Sequence, residues 1–351
     1  MTIKSRQQAP TQSDVARRAG VSQATVSAVI NGRAATHRIP DETVRRVREA
    51  VRDLGYMANP AARSLKGKRN RLLGVHTFES VFPISQRDFY HEFLIGIEEQ
   101  AVADGYDLVL FTSTEESNGQ RRIYRDGMNR LNVADGSVLL GFTQDRSGIA
   151  KLAAEGYPFV HVGRRDVPGV EFRWVGADYK STTSQIVEQL NALGHQRIGY
   201  VGLAQRMEAL IDREEGYRAG CEAVGLPALP LLMAPQHLTV EWFDHALASG
   251  MTAFIAEDEG YARRIGEFAR ERRLTIPDDV SVVVLRGTTD GPSPERPWSS
   301  MGIPRNEMGR MAVRMLVEIL EHPEASRDDH VLLPCTPPAD TTMAAVPGRT
   351  A

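Results

Sequence analysis

The chain lacks most of the features that would assign it to a specialised class. It has two cysteines in 351 residues, Cys221 and Cys335, far apart and in no metal-ligand or redox spacing. A disulfide-stapled fold and a cysteine zinc site are thereby excluded, and a reducing compartment fits. No apolar run approaches the roughly 18 residues that span a bilayer, so no membrane segment is expected. The start of the chain is polar, with no apolar stretch after Met1, so secretion is not expected and a cytoplasmic location is. No G-x-G-x-x-G or P-loop spacing follows a strand-like stretch, and no nucleophile-plus-base constellation stands out. No cofactor or metal is therefore expected, and an enzyme on a doubly wound fold is the weaker reading.

What is present is an uneven distribution of charge. The formal net charge is only −3, yet residues 1–71 hold 15 Lys and Arg against 5 Asp and Glu, a net +10. The rest holds 27 against 40, a net −13. A basic head on an acidic body points to a polyanion-binding segment joined to one that does not bind nucleic acid. Length predicts about two to three domains.

Ser13 to Asn31 reads as two short helices joined by a tight turn. Val15, Ala16 and Ala19 form an apolar face. Thr11 sits where an N-cap belongs, with Asp14 three residues on. Gly20 accepts the positive φ of a sharp turn. Ser22 caps a second helix, in which Val26, Val29 and Ile30 face inward and Gln23, Ala24, Ser27 and Ala28 face out. A short helix with small or polar outward residues fits the DNA major groove. A third helix over Asp41–Leu54 closes a small core with Val44, Val47, Val51 and Leu54, leaving Arg45, Arg46, Arg48 and Arg52 at the surface. Asn59-Pro60 then opens a two-turn helix, too short to be stable alone in water. Residues 1–10 are read as a disordered tail.

From Leu72 onward, strand-like and helix-like stretches alternate. Strands are expected at 72–76, 107–111, 138–140, 159–162, 197–201, 253–256 and 280–285. Helices are expected at 88–104, 179–193, 213–224, 260–272 and 306–320. Such repetition argues for parallel sheets covered by helices, with ligands bound beyond the C-terminal strand ends.

Two spaced motifs carry a resemblance. D-V-A-R-R-A-G-V-S-Q-A-T-V-S-A-V-I-N-G and D-L-G-Y-M-A-N-P-A-A-R-S-L resemble the DNA-binding head and hinge of the lactose-repressor/galactose-repressor family. L-G-H-Q-R-I-G-Y-V-G (193–202), R-E-E-G-Y (213–217), I-P-D-D-V-S-V-V (276–283) and E-M-G-R-M-A (307–312) are similar to marks of its effector domain. The resemblance implies a small all-α helix-turn-helix head plus an α/β two-lobed, periplasmic-binding-protein-like effector domain with parallel sheets. The head would span 11–58, the hinge helix and linker 59–70, and the effector domain 71–345. Lobe 1 would take about 71–176 and 303–331, and lobe 2 about 177–302 and 332–345.

Carried over residue by residue, Gln23, Ala24 and Ala28 would face bases, while Ser22, Thr25, Ser27 and Asn31 hold phosphates or nearby backbone. Asn59, Ala62 and Arg63 would line the hinge, and Leu65 would wedge into a central minor-groove step, as apolar side chains that kink DNA do. In the cleft, Arg213 would fork onto ligand hydroxyls or a carboxylate, with Asp258 as a second polar contact and Trp242, Phe89 and Tyr90 as aromatic walls. The implied partners are a pseudo-palindromic double-stranded operator, a sugar or sugar-derived effector, and a second copy of the chain. The implied function is a ligand-responsive transcription regulator, a repressor of a carbohydrate or related operon. A sugar-binding protein with no regulatory role is the alternative. There are departures: Ala28 stands where many relatives carry Arg, the loop over 33–40 is longer than usual, and Arg286-Gly287-Thr288-Thr289-Asp290 replaces a Gly-Phe-Asp-Asp turn. Glu257 replaces a neutral residue, and the 78–87 loop is long.

Overall fold

A computed structural model describes residues 10–30, 33–56, 69–79, 87–112, 121–142, 145–286, 298–324, 330–339 and 341–346. The chain divides into two compact units, Met1–Asn70 and Arg71–Ala351.

The first unit is a three-helix cluster: α1 (Gln12–Ala19), α2 (Gln23–Ile30) and α3 (Asp41–Leu54). Its start is a reciprocal capping box. Thr11 Oγ1 accepts from Asp14 N at 3.3 Å, and Asp14 Oδ2 accepts from Thr11 N at 2.9 Å. These bonds, with Arg17 nearby, hold the Asp14 carboxyl below its usual range. Gly20, at φ 64°, ends α1 in the left-handed region that costs a residue with a Cβ. Ser22 Oγ accepts from Thr25 N at 3.1 Å and starts α2. Val15, Ala16, Ala19, Val26, Val29, Val47 and Ala50 form the core, with Val44, Val51 and Leu54 packed at its edge.

The second unit holds two parallel sheets. In chain order its strands are β1 (Leu72–Thr77), β2 (Asp107–Phe111), β3 (Tyr124–Arg125), β4 (Met128–Asn129), β5 (Gly136–Leu140), β6 (Phe159–Val162) and β7 (Arg173–Asp178). They continue with β8 (Ile198–Gly202), β9 (Leu229–Leu232), β10 (Ala253–Ala256), β11 (Ser281–Val284), β12 (Ser299–Ser300) and β13 (His330–Pro334). One sheet has the order β13-β7-β6-β5-β1-β2 and the other β12-β11-β10-β8-β9, all neighbours parallel. β5, β6, β8, β10 and β11 are buried along their whole length, as expected where helices cover both faces.

The helices are α4 (Arg87–Ala103), α5 (Arg146–Ala154), α6 (Tyr179–Ala192), α7 (Glu208–Ala223), α8 (Val240–Ala248), α9 (Glu259–Glu271) and α10 (Arg305–Glu321). α4 packs on α10 and α6 on α7. Both contacts depend on glycine. A Cβ at Gly309 would lie 2.3 Å from Phe93 O, and one at Gly216 would lie 2.3 Å from Lys180 O. The R-E-E-G-Y and E-M-G-R-M-A motifs thus mark backbone-to-backbone helix contacts.

The chain passes between the lobes three times: after β7, between β12 and α10, and after β13. The third passage is tied down where Val282 N donates to Thr342 O at 2.8 Å. Because β13 stays paired with β7 through Pro334, this passage falls beyond residue 331.

The structure corrects several element limits. The helix expected to begin at Arg213 begins five residues earlier, at Glu208, so Arg213 lies within it. β3, β4, β7, β9, β12, β13, α5 and α8 lie outside the expected elements. β7 carries Gly176 and Ala177, both poor strand formers, and reads weakly as a strand, yet it is held between β6 and β13.

Candidate functional site

The head presents α2 as its recognition element. Ser22, Gln23 and Ala24 are exposed, and Thr25 and Ser27 are half-buried. Ser22 and Thr25 also bond each other, Oγ to Oγ1 at 2.9 Å, so their hydroxyls already stabilise the helix start. Ala28 does not face out as expected: it is 9% exposed and sits among the inward residues Val26 and Val29. Its side chain is a single methyl, too short to reach past its neighbours to a base edge. Arg45, Arg46, Arg48 and Arg52 form an exposed basic face on α3. Asn31, Asn59, Ala62, Arg63 and Leu65 lie outside the described residues.

In the body, a cleft lies at the C-terminal ends of the strands, lined from both lobes. Arg213 and Asp258 line it, as do Phe142, Arg164, Arg165, Tyr179, Asp212, Glu257, Arg286 and Arg305. Of the expected walls, Tyr90 is fully buried and gives its hydroxyl to Glu79 Oε2 inside the first lobe. Burial and that carboxylate raise the Tyr90 pKa, keeping the phenol neutral. Trp242 is not a cleft residue. It tilts against Phe254, ring centroids 5.7 Å apart, at the edge of the second-lobe core. Its helix, α8, places that ring on the sheet, where burial of a large aromatic surface wins over display to ligand. The side chain of Phe89 lies outside the described residues.

The cleft's charges are arranged in pairs with exceptions. Arg164, following β6, forks onto Asp212 of α7 through Nε at 3.1 Å and Nη2 at 2.8 Å. Arg165 donates to Glu208 Oε2 at 3.3 Å and to Gly141 O. Glu208 also accepts from Asp166 N at 3.2 Å. These bonds run from the first lobe to the start of α7 in the second. Glu257, the unexpected acid, is buried and fully engaged. It accepts from Tyr200 Oη at 2.6 Å, Leu203 N at 2.8 Å and Arg206 Nη1 at 2.6 Å. Asp258 caps α9 through Gly260 N at 2.9 Å and stands 3.6 Å from Arg286.

Arg213 differs. It is 3% exposed, its guanidinium lies 4.4 Å from the Tyr179 ring centroid, and no hydrogen bond or ion pair joins it to the described residues. Arg286 and Arg305 were not singled out from the sequence. Arg286 replaces a turn whose usual residues are different, and Arg305 opens α10 beside a proline; neither position carries a charge pattern of its own. His195 stabilises the second lobe instead of facing the cleft: Nδ1 contacts Thr252 Oγ1 at 2.7 Å and Nε2 reaches Ser281 Oγ and Ala344 O at 3.1 Å.

The architecture defines a class: a helix-turn-helix DNA-binding unit carried on the same chain as a two-lobed, periplasmic-binding-protein-like body. Residues 11–59 match the model for bacterial regulatory proteins of the lacI family, and residues 187–339 match the periplasmic binding protein-like domain. The chain is 28% identical over 320 residues to the HTH-type transcriptional regulator CelR of Thermobifida fusca, covering 89% of this chain and 92% of CelR. It is 26% identical to the HTH-type transcriptional repressor CytR of Escherichia coli K12, covering 92% and 93%. Among solved structures it matches a CelR–cellobiose complex, with a TM-score of 0.61 and 25% identity over 93% of this chain and 97% of that one. The lac repressor dimer bound to operator and an anti-inducer gives a TM-score of 0.71 at 22% identity, covering 95% and 99%, a likeness of fold.

The chain therefore belongs to the lacI family of bacterial regulatory proteins and is a sequence-specific DNA-binding transcription regulator. No helix among the described residues is long and apolar enough to cross a membrane.

Proposed function

We propose that this regulator is a repressor of a carbohydrate or related metabolite operon, released from or recruited to its operator by a sugar-like effector bound between the lobes. The observation that carries this reading is the cleft itself: a concave site lined from both lobes by apolar walls and a few converging charged groups, on a chain whose other unit is a helix-turn-helix head. A ligand touching both walls favours one lobe arrangement, and DNA favours the arrangement its two heads require. Those two preferences are coupled reciprocally. Two heads on a near-palindrome imply a homodimer.

In this reading Gln23 and Ala24 face bases, while Ser22, Thr25, Ser27 and Asn31 secure the backbone. Asn59, Ala62, Arg63 and Leu65 form the hinge contact, within a linker over 59–70 that joins a head of 11–58 to an effector domain of 71–345. Arg213 and Asp258 hold the effector. The protein works in the cytoplasm and turns nothing over.

The test is selection of bound duplexes from a random pool by the full-length protein, then titration of candidate sugars against the selected site. A near-palindromic site, with affinity shifted about tenfold or more by one sugar-like compound, is expected. Binding to random duplex with equal affinity would overturn the regulator reading, whatever the cleft binds.

A further inference from the structure

Three guanidinium groups converge on the cleft with too little negative charge among the described residues to match them. Arg213 comes from the second turn of α7, Arg286 from the end of β11, and Arg305 from the start of α10. All three line the same cavity. The acids beside them are committed elsewhere. Asp212 is held by Arg164, Glu257 by Arg206, Tyr200 and a backbone amide, and one Asp258 oxygen caps α9. Among the described residues, the one carboxylate near Arg286 is Asp258 at 3.6 Å, and the one near Arg305 is the half-exposed Glu92 at 3.4 Å. Arg213 has no carboxylate at all among the described residues, and the Nε atoms of Arg213 and Arg305 are buried without a hydrogen-bond partner.

Cations taken out of water need a counter-charge, because desolvation costs several kcal/mol per ion in real proteins. Here the aromatic rings of Tyr179 and Phe142 lie under Arg213 and Arg286, at 4.4 and 5.3 Å from their centroids. A ring face offsets only part of that cost, about 0.5–2 kcal/mol. Burial lowers the Arg286 pKa, and Arg213 and Arg305 lower it further by repulsion, so the cations sense one another.

We infer that the effector carries an oxyanion, a carboxylate or a phosphate, and that Arg213, Arg286 and Arg305 bind it. A neutral polyol would satisfy donors but leave the excess charge in place, whereas an oxyanion presents paired acceptors to planar donor forks. The effector class is then a sugar acid or sugar phosphate, not a neutral sugar. This rests on the cleft being the effector site.

The experiment uses the full-length protein and calorimetric titration with matched compounds: glucose, glucuronate and glucose 6-phosphate, with inorganic phosphate as the minimal probe. Phosphate binds saturably, and glucuronate or glucose 6-phosphate binds on the order of tenfold tighter than glucose, with affinity falling as salt rises. Whichever of the two anions binds more tightly distinguishes carboxylate from phosphate. Arg213→Gln and Arg286→Gln each remove the anion preference, and Arg213→Lys keeps part of it; unchanged unfolding midpoints for the unliganded variants show that they remain folded. Absence of saturable phosphate binding, glucose binding as tightly as both anions, or a preference that survives both glutamine substitutions would overturn the inference. If glucose shifts operator affinity and the anions do not, the anionic class fails while the regulator reading stands. Loss of operator selectivity with anion binding intact does the reverse.

Discussion

Two sets of arginines share the cleft and differ in one respect, whether a carboxylate meets them. Arg164 and Arg165 reach across from the first lobe to Asp212 and Glu208 at the start of α7. Arg213, on the same helix one turn later, meets none among the described residues. The first set clasps the two lobes together, and the second is left to a ligand. Arg165 and Arg213 are both arginines and both buried, at 8% and 3% exposed, so between these two it is partnering that separates a structural cation from a recognition one.

The sharpest way to break this comparison is to remove a partner from the first set. Glu208→Ala strips Arg165 and Arg146 of the carboxylate 3.3 and 3.6 Å away. Leaving a buried charge unmatched costs about 3–5 kcal/mol. The three tryptophans, Trp174, Trp242 and Trp298, all lie in the body, so their fluorescence during urea unfolding reads this loss directly. Arg213→Gln removes an ion that no carboxylate meets among the described residues. Its effect on the same measurement is expected to stay within about 1 kcal/mol in either direction. Comparable losses in the two variants would erase the distinction.

A smaller effect tests the buried charge around the first set. His161, in β6, is fully buried, and burial followed by repulsion from Arg165 takes its pKa down to about 3. His76, in β1, is taken down to about 4 by burial and then by Arg121, against a weaker pull from Asp145. Both rings stay neutral in the folded protein while the unfolded chain binds protons near 6.5. Below that pH the unfolded state holds more protons, so stability falls with acidity. The slope is about 1.4 kcal/mol per pH unit per histidine from pH 6.5 down toward 4, and it vanishes above 6.5. His161→Gln is expected to reduce the slope by its own share in urea titrations across that range, and an unchanged slope would remove His161 as a source.

The sequence carried the fold further than the site because the two are written in different ways. Helix caps and turns are local: Thr11, Asp14, Gly20 and Ser22 sit within a dozen residues and act where they stand. Apolar strands such as Val138–Leu140 are also local signals, since both of their faces are covered. The cleft is assembled from residues distant in the chain, and two of its features had no local mark. Arg286 is legible only as a departure from a familiar turn. Glu257 looks like a misplaced charge until Tyr200 and Arg206 are seen around it. Trp242 matched an expected aromatic by position, but the tilt of α8 against the sheet decides where its ring points, and no spacing rule encodes that tilt. Ala28 fails for a related reason: helical periodicity places it near the boundary of the outward face, and three-helix packing closes over a methyl that a longer side chain would have escaped.

The smallest expected effect separates partnering from burial. Arg272 forks onto Asp244 with Nε and Nη2 at 2.7 and 2.6 Å, a shorter and better aligned pair than Arg165 with Glu208. Yet its side chains are 41% and 43% exposed, against 8% and 3% for the cleft pair. Water and salt screen an exposed pair, and holding two long side chains in one geometry costs entropy. The bonding lowers the Asp244 pKa, but a solvated carboxylate loses little by losing its arginine. Asp244→Ala is therefore expected to leave the urea midpoint unmoved within error, where Glu208→Ala moves it far. If the exposed pair proved as costly to break as the buried one, geometry would outrank desolvation in this protein, and the reasoning that reserves Arg213 for a ligand would lose its footing.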